Sequence, residues 1–159
     1  MYNQKKLSKE NEQFFKEIYF EVRTSSRFEE CSKFIQHGNT SVKQHVIMVT
    51  LLALNLSEKL HIKVDKKALI RGALLHDYYL YDWHNKSLKD LHGFHHPKRA
   101  LRQALKEFDL TNNEIDIITK HMFPLTPFPP RYREAILVCI ADKICAWGET
   151  IEGRLSFNL

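Results

Sequence analysis

Apolar residues recur at three- and four-residue spacing along most of the chain, the signature of helices that bury one face. Phe14, Phe15, Ile18, Tyr19 and Val22 form one such stripe in a helix expected from about Ser8 to Val22, with Ser8 as its N-cap. Phe28, Cys31, Phe34 and Ile35 suit a short helix ending before His37-Gly38-Asn39. A long helix is expected from Thr40 or Ser41, with Val42, Val46, Val49, Ala53, Leu56 and Leu60 facing inward. Asp65 caps the next, which carries Ala68, Leu69, Gly72, Ala73 and Leu75 and ends close to His76-Asp77. From Tyr78 to His96 the pattern dissolves into an aromatic, histidine-rich loop with room for a turn of helix. Pro97 fits the first turn of a helix continued by Ala100, Leu101, Ala104, Leu105 and Phe108. Thr111-Asn112-Asn113-Glu114 matches a capping box ahead of Ile115, Ile118 and His121. Pro124 to Pro130 reads as a loop, and the last helix runs from about Arg131 to Trp147.

Only five glycines and five prolines interrupt this periodicity, and runs of alternating β-branched residues are missing. The expectation is an all-α fold: a compact bundle forming a single domain over 1–159. The N-terminal helices at 8–36 are expected to pack on the helices that follow. A chain of 159 residues, 43% hydrophobic and 27% charged, suits one such domain. No run of 18 apolar residues is present, so no membrane span is expected. The polar start MYNQKKLSKENEQ lacks the apolar core of a secretory signal. Cys31, Cys139 and Cys145 are odd in number, and two of them sit in an apolar run, so they read as buried reduced thiols of a cytoplasmic protein. The net charge of +5 is spread over scattered Lys and Arg, which argues against a dedicated nucleic-acid surface. Nine histidines are more informative, because imidazole is the commonest metal-binding side chain.

Asp142 lies between Ala135-Ile136-Leu137-Val138-Cys139-Ile140-Ala141 and Ile144-Cys145-Ala146-Trp147, a helix apolar all round and therefore expected to be buried. A lone carboxylate there costs several kcal/mol unless it is paired. Lys143 is adjacent in sequence but faces another way on a helix. An ion pair, a cap and a metal all satisfy that demand. His45 stands beside the Val42, Val46 and Val49 stripe, where a single histidine is more often a satisfied core residue than a ligand. His76-Asp77 follows Ala73-Leu74-Leu75. Adjacent helical side chains diverge by about 100°, so this pair can grip one ion only near a helix end. Imidazole with carboxylate is a natural donor set for a transition-metal dication.

Taken in order, His45, His76-Asp77 and Asp142 resemble the His…His-Asp…Asp pattern of the HD-domain superfamily of metal-dependent phosphohydrolases. Leu74-Leu75-His76-Asp77 and Ile140-Ala141-Asp142-Lys143-Ile144 are especially similar to that superfamily's motifs. The resemblance spans a motif core at about 41–149 and implies an HD-like helical bundle in which His45, His76, Asp77 and Asp142 coordinate one ion. Some members hold a second ion through two further histidines, with the aspartate of the pair bridging. His96, just before Pro97, and His121 occupy the corresponding interval, with Asp77 as the bridge. His92 and His95 could replace His96, and the loop histidines also read as surface or substrate-contacting groups. Met122 follows His121 where several members carry a second histidine.

The implied activity is hydrolysis of a nucleotide or other small phosphate ester by metal-activated water, with Asp77 as the catalytic base and one or two ions of Mn, Fe, Co, Ni or Zn. Hydrolases of the family often carry a lysine soon after the His-Asp pair; Tyr78-Tyr79-Leu80-Tyr81-Asp82-Trp83-His84 stands there instead. Candidate substrate-binding residues are His92, His84 and Lys120. Asp82 and His84 could alternatively support the ligands or serve as a general acid. Arg71 and Lys143 join Lys120 as candidate phosphate contacts, and each also reads as surface. Tyr78, Tyr79, Tyr81 and Trp83 are either packing or a platform for a base. A di-iron oxygenase on the same ligands, and a non-catalytic metal- or nucleotide-binding regulatory module, are the alternatives. The expected partner is a small phosphorylated substrate, and oligomeric state is not legible.

Overall fold

The computed structural model describes residues 7–82, 84 and 92–151. Among them are helices α1 (Lys9–Ser25), α2 (Val42–Lys59), α3 (Lys66–Leu75), α4 (His92–Ala104), α5 (Asn112–Lys120) and α6 (Arg133–Ile151). A 3-10 helix (Phe28–Lys33) and a hairpin of β1 (Ile35–His37) and β2 (Thr40–Ser41) lie between α1 and α2. The fold is all-α, as the periodicity predicts.

The helix starts are set by local chemistry. Ser8 accepts a hydrogen bond from the Asn11 backbone N–H, and Asp65 accepts one from Ala68. Ser41 with Gln44, and Thr111 with Glu114, form complete capping boxes. Each cap satisfies donors that the first turn would leave open, typically contributing about 1 kcal/mol.

Helix α2 is the central element. It packs against α6, α3 and the 3-10 helix, while α3 also packs on α1 and α5. Val42, Val46, Val49 and Ala53 are buried as expected, but so are Met48, Thr50, Leu51, Leu52 and Leu54, because neighbours cover α2 on nearly every side. Leu60, expected inside, is exposed where the chain leaves the helix. Phe14 is also partly exposed, against the stem and ammonium of Lys66. On α1 the buried face is instead Asn11, Phe15, Ile18 and Val22.

Three boundaries differ from expectation. The segment expected to be helical through Ile35 turns into the hairpin, whose Gly38 adopts φ +56°. That left-handed conformation favours glycine. Helix α4 begins at His92, so Pro97 lies inside it and forgoes one backbone hydrogen bond instead of occupying the first turn. Helix α6 ends at Ile151, four residues beyond the expected Trp147. It is also less covered than its composition suggests: Ile136, Ile140 and Trp147 are exposed.

Polar ties hold the frame. Arg71 on α3 donates to Glu114 on α5 at 2.5 and 2.8 Å and to the Asp109 carbonyl at 2.9 Å. Asp116 accepts hydrogen bonds from the backbone of Arg131 and Tyr132, anchoring the loop before α6. Glu134 accepts one from the backbone of Asp65. Among the described residues, no helix is long and apolar enough to cross a membrane.

Candidate metal centre

Five elements deliver the predicted ligands to one buried point. His45 comes from the first turns of α2, His76 and Asp77 from the end of α3, and His96 from α4. His121 follows α5, and Asp142 comes from the middle of α6. All six residues are at most 8% exposed, an unusual concentration of ionisable groups in a protein interior.

His76 and His121 occupy the same local position, the C-cap of a short helix with right-handed helical backbone angles. Each ring donates Nδ1–H to the carbonyl three residues earlier: His76 to Ala73 at 2.7 Å and His121 to Ile118 at 2.8 Å. Those carbonyls are among the acceptors a helix end leaves open. The bond commits Nδ1 as the donor, so Nε2 is the atom each ring turns to the interior. His45 is oriented by a side chain instead, its Nδ1 lying 2.9 and 3.1 Å from the two Glu149 carboxylate oxygens.

The inward-facing atoms fall into two groups that share Asp77. In the first, His45 Nε2 is 2.9 Å from Asp142 Oδ1 and 3.8 Å from Asp77 Oδ2, while His76 Nε2 lies 3.6 and 3.5 Å from the same two oxygens. In the second, Asp77 Oδ1 is 3.2 Å from His96 Nε2 and 3.4 Å from His121 Nε2, and the two nitrogens are 2.8 Å apart. Donors bonded to one ion at about 2.0–2.1 Å stand roughly 3.0–3.4 Å from one another in tetrahedral or octahedral arrays. The observed separations bracket that range.

Two of these atoms, His76 Nε2 and Asp77 Oδ1, are buried without a hydrogen-bond partner. A lone pair of His76 aimed at two carboxylate oxygens is repulsive unless a proton or a cation stands between them. The charges give the same answer. Burial lowers the pKa of His45, but its bonds to Asp142 and Glu149 outweigh that and raise it to about 10. Burial would raise Asp142, yet the hydrogen bond from His45 and the nearby His76 imidazole hold its carboxyl well below the usual range. Asp77 is likewise held well below against its own burial, by the surrounding imidazoles of His76, His96 and His121. Burial lowers His121 despite the nearby Asp77. The cluster therefore demands positive charge, which protons or a divalent cation can supply. His45, His76 and Asp142, and His76, Asp77 and His121, each bring donor atoms within 4.8 Å of one another, and the residues present fit such an ion.

The HD-domain profile matches residues 42–147, about two-thirds of the chain. The chain belongs to the HD-domain family. This family consists generally of metal-dependent hydrolases, and its domains bind divalent metals. No curated protein and no solved structure matches the chain significantly.

Against this HD-domain frame, the remaining candidates separate. Arg71 is spent on Glu114 and Asp109 and is a structural clamp. Lys143 donates to the His121 carbonyl at 2.9 Å and so braces a ligand from behind. The Lys120 ammonium sits 4.7 Å from the Phe128 ring centroid. His84 and Asp82 are exposed and lie side by side, 3.4 Å apart. The side chain of His92 and all of Trp83 lie outside the described residues, and His95 is exposed. Tyr78 and Tyr79 are buried, with hydroxyls donating to Glu107 and Gln36, so both serve packing and hydrogen bonding and leave no face open to a base.

Two residues at the site were not singled out from sequence. Glu149 follows Asp142 by seven residues, two helical turns on the same face of α6; it lay beyond the expected helix end at Trp147. Gln36 reaches Asp77 Oδ2 from the hairpin with an Nε2 donor at 2.6 Å. The first carried a readable signal in its spacing. The second carried none, because a glutamine in an unexpected strand has no pattern to betray it.

Proposed function

We propose that this HD domain hydrolyses a small phosphate ester, with nucleotides as the leading substrate class, at a two-ion centre. His45, His76, Asp77 and Asp142 would hold one ion; His96, His121 and Asp77 would hold the other. The observation that carries this reading is the pair of buried, unpartnered atoms, His76 Nε2 and Asp77 Oδ1, one in each group of donors. The chemistry supplied by divalent ions bound there is activation of water near neutral pH and neutralisation of charge on the phosphoryl oxygens.

The chain's own residues do the rest. Glu149 and the carbonyls of Ala73 and Ile118 hold three imidazoles in the tautomer whose Nε2 faces inward. Asp77, kept anionic, turns one oxygen toward each group and is the candidate base for the attacking water. Arg99 lies one turn beyond His96 on α4, with its guanidinium 5.1 Å from the Tyr81 ring centroid. Tyr81 in turn lies 5.0 Å from Tyr79, whose ring is 6.2 Å from His96. This places a cation and a half-buried aromatic beside the site, suited to a phosphate and the group it esterifies. His84, His92 and Lys120 complete the candidate substrate contacts.

The test pairs elemental analysis with phosphate release from nucleotides and simple phosphomonoesters across Mn, Fe, Co, Ni and Zn. The expected result is metal-dependent release that is abolished by chelation and by the His76→Ala/Asp77→Ala double variant. Release that persists in that variant refutes the mechanism. An iron- and oxygen-dependent oxidation, or ligand binding without turnover, refutes the hydrolase reading.

A further inference from the structure

A bridging carboxylate needs more than ligands: something must hold its plane so that one oxygen faces each ion. Asp77 follows a helix end and can rotate about its Cβ–Cγ bond. Its two oxygens are nevertheless divided cleanly, Oδ2 toward His45 and His76, Oδ1 toward His96 and His121. Gln36 donates Nε2–H to Oδ2 at 2.6 Å, and the Gln36 side chain is itself only 5% exposed.

A glutamine amide can present either its N–H or its carbonyl, and the wrong choice here would set oxygen against carboxylate. Tyr79 decides the matter. Its hydroxyl donates to Gln36 Oε1, which leaves the NH2 group for Asp77. The hairpin supporting Gln36 is fixed at both ends. Val42 N–H donates to the Phe34 carbonyl at 2.9 Å, and strand β1 also packs against α6. The donor chain is thus Tyr79 Oη–H to Gln36 Oε1, then Gln36 Nε2–H to Asp77 Oδ2. It adds no charge to the site.

We infer that Gln36, oriented by Tyr79, is a positioning residue that sets the rotation of Asp77 and thereby builds the His96–His121 side of the site. The inference rests on the two-ion reading above. Its selectivity follows from the ligands on each side. Without Asp77, the first group retains His45, His76 and Asp142, whereas the second retains His96 and His121. A carboxylate free to swing both oxygens toward the first group costs the second group its third donor and costs the first little. Hydrogen-bonding partners of metal ligands typically matter 10–100-fold in metal affinity.

The test is Mn2+ binding to the full chain by equilibrium dialysis with elemental analysis, in wild type, Gln36→Leu and Tyr79→Phe, with urea unfolding in EDTA alongside. Wild type is expected to bind two ions. Gln36→Leu should bind the first with little change and the second at least about tenfold more weakly. Tyr79→Phe deletes one oxygen from a packed ring, so it tests the relay even if Gln36→Leu fails to fold; it should weaken the second ion in the same direction by less. Wild-type affinity for both ions in both variants overturns the inference, as does an equal loss at both ions, which would mark Gln36 as merely structural. If wild type binds no ion or one, the two-ion reading itself falls, a result separate from any effect of Gln36.

Discussion

Gly72 is where the frame of the site can be tested without touching a ligand. It lies on α3, one turn before His76, and faces Ile117 on α5, one turn before His121. A Cβ at position 72 would meet Ile117 Cδ1 at 2.5 Å, Cβ at 3.1 Å and Cγ2 at 3.2 Å. The Cδ1 clash lies about 0.9 Å inside ordinary van der Waals contact of 3.4 Å, and a rotamer change could relieve it. The other two atoms are tied to the α5 backbone, so the helices must separate by a few tenths of an ångström. Gly72→Ala gains about 1 kcal/mol of helix propensity, whereas overpacking a close-fitting core costs about 1–3 kcal/mol. Because Ile117 is fully buried and three atoms are crowded at once, the upper part of that range applies. The expected net loss is about 1–2 kcal/mol. For a domain of this size that is a fall of roughly 2–8 °C in Tm, at about 2–4 °C per kcal/mol. Urea unfolding of the metal-free protein measures it. Adding Ile117→Val, which removes Cδ1, should recover part of the loss in a double-mutant cycle. The His76 and His121 rings lie 4.8 Å apart, so metal affinity should fall with stability. A Gly72→Ala protein as stable as wild type, with unchanged metal affinity, would refute the claim that this close approach sets the site.

Further predictions concern the site and the core. Glu149→Gln keeps the shape but removes the charge that orients His45; metal affinity by calorimetry should weaken about 10–100-fold, and an unchanged affinity would count against that role. In EDTA, the raised pKa of His45, about 10, contributes stability that is complete below its ordinary value near 6.5 and is lost as pH rises through 10. The urea midpoint should therefore decline between pH 7 and 10, and a flat or rising profile contradicts this. Asp142, with its pKa depressed, contributes stability that is present above the ordinary carboxylate value and is lost on acidification through its folded value. Burial, then the Asp77 charge, push the Cys31 thiol up to about 12. At pH 8 its thiolate fraction is then on the order of 10⁻⁴, so alkylation followed by mass spectrometry should leave Cys31 unmodified in the native protein and label it on unfolding. Rapid native labelling would show that this part of the core opens readily.

Much of this protein was legible before any coordinates. The helices follow from 3.6-residue periodicity, and four of their starts from Ser8, Ser41, Asp65 and Thr111, because capping is chemistry within a few residues of the chain. The pairing of His76 with Asp77 at a helix end was readable for the same reason: adjacent side chains converge only where the helix stops. What the periodicity could not supply was the covering of each face. Leu60 and Phe14 fit their stripes yet reach the surface, and Ile136, Ile140 and Trp147 stay exposed on a helix whose composition suggested burial. Whether a face is covered depends on what packs against it, and that is decided at long range.

The centre itself divides along the same line. The sequence by itself determined the donor types and their order, His45, His76-Asp77 and Asp142, and offered His96 and His121 through resemblance. Only the tertiary structure could bring five elements to one point, divide the oxygens of Asp77 between two groups of nitrogens, and set His45 and Asp77 by side chains from distant parts of the chain. Glu149 and Gln36, two of those orienting groups, lie 104 and 41 residues from the side chains they hold. No local pattern encodes such a pairing, because a hydrogen bond between distant residues exists only once the packing of α2, α3 and α6 has placed them within reach.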